Sequence, residues 1–239
     1  MNRKVLNNLR SHIQDTFGID VTSKPELLEA LIDHIDDEVT GRYFSDTGTP
    51  NSAYWKPHNK WEGKMSGQVL VDRMKEETWE TWLDVGCGDN VYKGFFGDKI
   101  TGIDPYNDHA DIKTSCLDFE PPHQYDIVTA MGSINFGDKT KIQAEVEKCV
   151  SFCKTGGKLF WRFNPGITHD DPTKKAYWID FFEWSESFVR EFADMFNCTV
   201  EEFKWDNPPD ESRPRYGPRY YSEWTVRPGG RHYSEWTKK

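Results

Sequence analysis

What this chain lacks narrows its function early. No stretch of the 239 residues approaches the roughly 18 consecutive apolar residues that a membrane-spanning helix needs. The start, Met1-Asn2-Arg3-Lys4-Val5-Leu6-Asn7, is not followed by the apolar segment of a secretory leader. Cysteines number five, an odd count without a framework spacing, which fits reduced thiols. Neither His-Glu-x-x-His nor Cys-x-x-Cys occurs, so no metal is implied. A net charge of −10 argues against a surface with generic affinity for nucleic acid. These features together predict a soluble protein of the cytoplasm.

Two further absences concern one loop. The segment Thr81-Trp82-Leu83-Asp84-Val85-Gly86-Cys87-Gly88-Asp89-Asn90 is a short apolar run that breaks into Gly-x-Gly. A dinucleotide fingerprint requires Gly or Ala three residues after the second glycine, where this chain has Val91. A phosphate-cradling ATPase loop requires Gly-Lys-Ser/Thr, which is also missing. A nucleoside without phosphates remains, and S-adenosylmethionine (SAM) fits that description.

What is present supports such a site. Trp82, Leu83 and Val85 suit a buried parallel strand. Gly86 and Gly88 let a ligand approach the main chain, and Asn90 tolerates a left-handed backbone. A second run, Ile100-Thr101-Gly102-Ile103, ends in Asp104, eighteen residues after Gly86. In open α/β sheets ligands bind outside the carboxyl ends of the strands, near the switch in strand order. Asp104 is placed there to accept from two ribose hydroxyls, and Asp84 to offer negative charge toward an ammonium.

Leu83-Asp84-Val85-Gly86-Cys87-Gly88 resembles the first motif of the class I SAM-dependent methyltransferases. Gly102-Ile103-Asp104 resembles their second motif and Ser115-Cys116-Leu117-Asp118 their third. Residues Tyr125 to Ser133 resemble the fourth strand and its loop, and Lys154-Thr155-Gly156-Gly157-Lys158-Leu159-Phe160 the Gly-Gly element before the fifth strand. The ordered match covers about residues 79–163. The resemblance implies a Rossmann-like, mostly parallel seven-stranded α/β sheet with an antiparallel last strand, and an N-terminal helical extension. It implies SAM as cofactor and S-adenosyl-L-homocysteine (SAH) as product. The cofactor positions carried over are Asp84, Gly86, Cys87, Gly88, Asp104, Pro105, Leu117, Asp118, Met131 and Gly132. Among these, Asp104 would hold the ribose, Pro105 or Tyr106 would flank the adenine, Asp118 would accept from its amino group, and Met131 and Gly132 would line the sulfur end. More loosely, the size, aromatic content and tail resemble small phage-encoded methyltransferases.

The chain divides into residues 1–78, a cap or substrate wall, and residues 79–239, the cofactor-binding domain. Val5, Leu6, Leu9, Ile13 and Phe17 predict a first helix, and Leu27, Leu28, Leu31, Ile32 and Ile35 a second. An aromatic loop over 41–63 follows, then a helix through Val69, Leu70 and Met74. The core pattern predicts strands at about 81–85, 100–103, 112–114, 125–130, 158–163 and 198–205, with helices over 140–153 and 179–196. Pro121-Pro122 predicts that no helix joins the third and fourth strands. The tail repeats itself: Arg219-Tyr220-Tyr221-Ser222-Glu223-Trp224-Thr225 returns as Arg231-His232-Tyr233-Ser234-Glu235-Trp236-Thr237. The first copy suits the last strand of the sheet; the second suits a hairpin extension or an unstructured duplicate.

No catalytic residue stands out, and methyl transfer from a sulfonium can proceed without one. The loop Ala130-Met131-Gly132-Ser133-Ile134-Asn135-Phe136-Gly137 lacks the Asn/Asp-Pro-Pro-Tyr/Phe of amino-methylating DNA enzymes. Asn135, Asn164 and His169 suit turns and caps better than substrate contacts. The methyl acceptor stays open between small molecule and macromolecule. Nucleic acid is admitted only through the arginines and aromatics of the tail. A SAM-binding module without catalysis is the alternative, and a nicotinamide oxidoreductase is disfavoured by Val91.

Overall fold

The computed structural model describes residues 68–165, 182–207 and 219–229. The expected helices before residue 68, the aromatic loop over 41–63, His169 and the second tail repeat lie outside those residues. Among the described residues, helix α1 (Gln68–Glu76) leads into strand β1 (Trp82–Val85). A short helix α2 (Lys93–Phe96) and a 3-10 turn precede β2 (Ile100–Ile103), and β3 (Tyr125–Ala130) follows. Then come α3 (Lys139–Phe152), β4 (Cys153–Phe163), α4 (Glu186–Met195), β5 (Cys198–Asn207) and β6 (Arg219–Val226).

The strands form one six-stranded sheet in the order β2-β1-β3-β4-β6-β5. β1 pairs in parallel with both β2 and β3, and β3 in parallel with β4. β6 runs antiparallel between β4 and β5. The chain therefore leaves β1 toward one side of the sheet and returns to the other, which puts the change of direction between β1 and β3.

Alternation along the strands sorts two hydrophobic layers, one on each face of the sheet. Leu83, Val128, Leu159, Trp161 and Trp224 pack with Ile142 and Val146 of α3 and Val189 and Phe192 of α4. Trp82, Ile127, Phe160 and Tyr221 pack with Leu70, Val71 and Met74 of α1 and with Tyr92. The aromatic abundance of the sequence is spent here: Trp82, Trp161, Trp184 and Trp224 are all fully buried, each hiding on the order of 150–250 Å².

Three expectations need correction. Residues 112–114 do not form a strand; a single parallel bridge joins Ile112 to Ile103. Ile112 is 41% exposed, so the segment has no apolar side to hold a strand down. The described sheet accordingly has six strands, one fewer than expected, while the expected mostly parallel α/β sheet with an antiparallel last strand holds. The helix expected from 179 starts at Glu186, because Ser185 takes an extended conformation and its side chain caps Phe188 N–H. The helix expected over 140–153 ends at Phe152, so Cys153 opens β4 and shares no helix face with Cys149. The predicted absence of a helix between the third and fourth strand positions does hold, with only turns between residues 113 and 124.

The place of β6 bears on the tail repeat. Both of its edges are taken, by β4 and by β5. The first copy of the repeat is thus an interior strand of the sheet.

Candidate nucleoside site

β1 ends at Val85 and the chain turns sharply, with φ of 67° at Gly86, 53° at Gly88 and 52° at Asn90. Gly86 has no alternative, because a Cβ there would lie 2.2 Å from Ser133 Cβ. Ser133 belongs to the loop after β3 and its hydroxyl donates to Val85 O at 2.6 Å. The loops after β1 and β3 are thereby pressed together at the switch point of the sheet.

The N–H groups of the glycine loop are engaged within the protein. Gly86 and Cys87 both donate to Ile103 O, at 2.8 and 3.0 Å. Gly88 donates to Asp104 Oδ2 at 3.1 Å, and Asn90 to Cys87 O at 3.0 Å. A pyrophosphate would need such donors free, and it would meet two carboxylates. The following helix α2 spans four residues and has no side-chain cap at its start. The geometry therefore agrees with the sequence in disfavouring dinucleotides and nucleoside triphosphates.

Asp104, at the tip of β2, is 9% exposed. Its Oδ1 accepts from Tyr106 N–H at 2.8 Å and Asn107 N–H at 3.0 Å, while Oδ2 accepts from Gly88. The carboxylate thus shapes the turn over 104–107 and retains acceptor capacity on Oδ2. Behind it, Asn90 donates to His109 O and Asp111 Oδ2, and Asp111 also takes Gly102 N–H at 2.8 Å and pairs with Lys93. Asn90 packs so close to β2 that a Cβ on Gly102 would lie 2.5 Å from its Oδ1.

Asp84 is buried on β1, opposite Thr129 of β3. Thr129 donates to Asp84 Oδ1 at 2.6 Å and accepts from Trp82 Nε1 at 2.8 Å. Among the described residues, the Thr129 hydroxyl is the one hydrogen-bond partner of the Asp84 carboxyl, and Oδ2 is left without one. Burial pushes the Asp84 carboxyl up to about 7, the Thr129 bond opposes this, and Asp104 adds to it. Burial likewise raises the Cys87 thiol, with Asp84 and Asp104 adding to the effect, so Cys87 is a poor nucleophile.

The remaining predicted positions lie in the segments that follow β2 and β3. Leu117 is 39% exposed. Asp118 is exposed too and is tied to Ser115, whose hydroxyl donates to it at 2.6 Å. Pro105 and Gly132 are partly exposed, and Met131 packs against the α1 layer. Asn135 and Asn164 are buried stitches, as their turn-forming character predicts. Asn135 Oδ1 accepts from Asn164 N–H, and Asn164 O from Trp184 N–H. Sequence reasoning missed Thr129, Ser133 and Asp111. Thr129 and Ser133 lie within the segment read as the fourth strand and its loop, but only the three-dimensional pairing reveals their partners.

An open hollow between α4 and the start of β5, whose lining includes Arg190, Glu191, Asp194 and Arg227, lies at the opposite end of the sheet from the glycine turn. Among the described residues no three His, Cys, Asp or Glu side chains group as metal ligands. No described helix is long and apolar enough to cross a membrane.

No family model and no curated protein matches the sequence. Solved structures do match. The magnesium protoporphyrin IX methyltransferase of Synechocystis PCC 6803, with SAH bound, aligns over 80% of this chain and 99% of its own with a TM-score of 0.56 and 11% identity. The N-methyltransferase NodS of Bradyrhizobium japonicum WM9, also with SAH, covers 66% and 84% with a TM-score of 0.50 and 13% identity. The 1,6-didemethyltoxoflavin-N1-methyltransferase of Burkholderia thailandensis, with SAH and its acceptor, covers 67% and 76% with a TM-score of 0.51 and 11% identity. This chain therefore has the Rossmann-like α/β fold of the class I methyltransferases.

Proposed function

We propose that this protein transfers a methyl group from SAM to an acceptor still to be identified. The observation that carries the reading is Asp84: a buried carboxylate with one oxygen engaged by Thr129 and the other without a partner among the described residues, beside a glycine turn at the sheet's switch point. A cationic ammonium satisfies that oxygen, and a phosphate does not. Asp104 would hold the ribose through the remaining capacity of Oδ2, which requires no dismantling of the 104–107 turn. Gly86, Cys87 and Gly88 would face the methionine and ribose, Pro105, Leu117 and Asp118 the adenine, and Met131 and Gly132 the sulfur. Bound there, SAM supplies a methyl group already activated on a sulfonium. The protein's part is then to align donor and acceptor and to exclude water. Residues 1–78 would cap the site. In support, α1 at the end of that segment packs on the same sheet face as Trp82, Asp84 and Thr129, and Arg73 fixes it there by a two-bond pair with Glu223.

Calorimetry with SAH tests the cofactor. Micromolar binding, abolished by Asp104→Ala in a protein that stays folded, is the expected outcome. Failure of the intact chain to bind either SAM or SAH would overturn the reading. Binding without methylation across a broad acceptor panel would favour a regulatory module.

A further inference from the structure

Trp82 and Thr129 stand behind Asp84 on the sheet face covered by α1, and both are completely buried. An indole N–H only donates, so the Thr129 oxygen must accept from it. The single hydroxyl proton of Thr129 can then go to Asp84 Oδ1 at 2.6 Å or to Leu83 O at 3.4 Å. The short contact to an acid is much the stronger. The indole therefore sets the direction of the hydroxyl, and the hydroxyl takes one particular carboxylate oxygen. Asp84 is only 4% exposed, and among the described residues no donor reaches its other oxygen.

We propose that Thr129, oriented by the Trp82 indole, is a positioning residue of the cofactor site: it holds Oδ1 of Asp84 and so presents Oδ2 to the ammonium group of SAM. This rests on the SAM reading of the site. The groups facing Asp84 are Asp104 from the end of β2, the neutral Cys87 thiol from the glycine loop and the Thr129 hydroxyl from β3; no described cation bonds to it. Asp84, held up to about 7, must ionise to receive an ammonium. Affinity for SAH therefore rises as pH increases through about 7. Loss of the Thr129 bond, which favours the carboxylate, moves that rise to higher pH.

The test compares SAH affinity from pH 5 to 9 in wild type, Thr129→Val, Thr129→Ser and Trp82→Phe, alongside carboxyl carbon NMR titration of Asp84 in the ligand-free proteins. Thr129→Val should bind about fivefold more weakly at pH 7, with its midpoint raised by about one pH unit, and recover by pH 9. Thr129→Ser should match wild type. Trp82→Phe should move the midpoint in the same direction by less, and it serves if the valine variant does not fold. An unmoved midpoint, or an equal loss at every pH, would overturn the positioning role. If wild type binds no SAH, the site reading itself fails, and the NMR titration still decides whether Thr129 controls Asp84.

Discussion

Gly86 and Ser133 lie so close that a single added carbon cannot fit between them: a Cβ on Gly86 would sit 2.2 Å from Ser133 Cβ. Gly86 also has φ of 67°, which side-chain-bearing residues rarely adopt. Gly86→Ala should therefore destabilise the protein by about 2–4 kcal/mol and remove SAH binding. Gly94 has open space around it and no positive φ. Gly94→Ala should stabilise by up to about 1 kcal/mol without touching affinity. Thermal unfolding and calorimetry on the two variants separate crowding at the loop from a general sensitivity to alanine.

Asp84 makes the fold less stable at high pH. Its folded pKa of about 7 lies above the ordinary carboxyl value, so the folded state holds a proton that the unfolded state has released. Stability from this group is complete at low pH and is lost as pH rises toward and through 7. Asp84→Asn keeps the shape without the charge. It should raise stability at pH 8 by roughly 2–4 kcal/mol, since each tenfold difference in proton affinity between the folded and unfolded states is worth about 1.4 kcal/mol, and be nearly neutral at pH 4. Urea unfolding at the two pH values reads the difference, while SAH affinity should fall sharply.

Asp126 acts in the opposite sense. Burial pushes it up, but Lys154, the N–H groups of Thr81 and Glu80 and the Thr81 hydroxyl outweigh burial and hold it at about 2. Its contribution is present above the ordinary carboxyl value and lost as pH falls through 2. The side chain is 27% exposed, so water weakens the pair. Asp126→Asn should cost about 1 kcal/mol at neutral pH and flatten the acid limb of a stability profile.

Arg73 and Glu223 join α1 to β6 by bonds of 2.6 and 2.8 Å, with Glu77 and Lys158 completing a neutral group of four. The hydrogen bonds that Arg73 donates to Glu223 hold its guanidinium above its already high ordinary value. Glu223→Gln should cost about 2–4 kcal/mol, since it leaves a half-buried cation short of its partner. The Arg73→Met, Glu223→Gln double variant should cost less than the two single changes added together, as measured by denaturant unfolding.

The parts legible in sequence are those written in short-range pattern. β2 and β3 occupy the spans read from apolar runs, and β1 differs at one end by a residue. The glycine turn and the acids at strand ends were readable because a tight turn and a nucleoside crevice each demand particular residue types at adjacent positions. Residues 112–114 misled because alternation alone cannot tell a strand from an exposed segment that makes one bridge. Thr129 gave no local sign of its role, since its partners are 45 and 47 positions away.

The amino-acid order by itself determined the loop after β1 and the placing of Asp84 and Asp104 on successive strands beside it, and it disfavoured phosphate-rich ligands. Each depends on neighbours along the chain, where turn chemistry and strand periodicity act. Only the tertiary structure decided which oxygen of Asp84 is engaged, that Asp104 already carries three backbone N–H groups, and that β6 is paired on both edges. Those outcomes depend on how many partners converge on one atom or one strand edge, a quantity that exists only once distant segments are packed together.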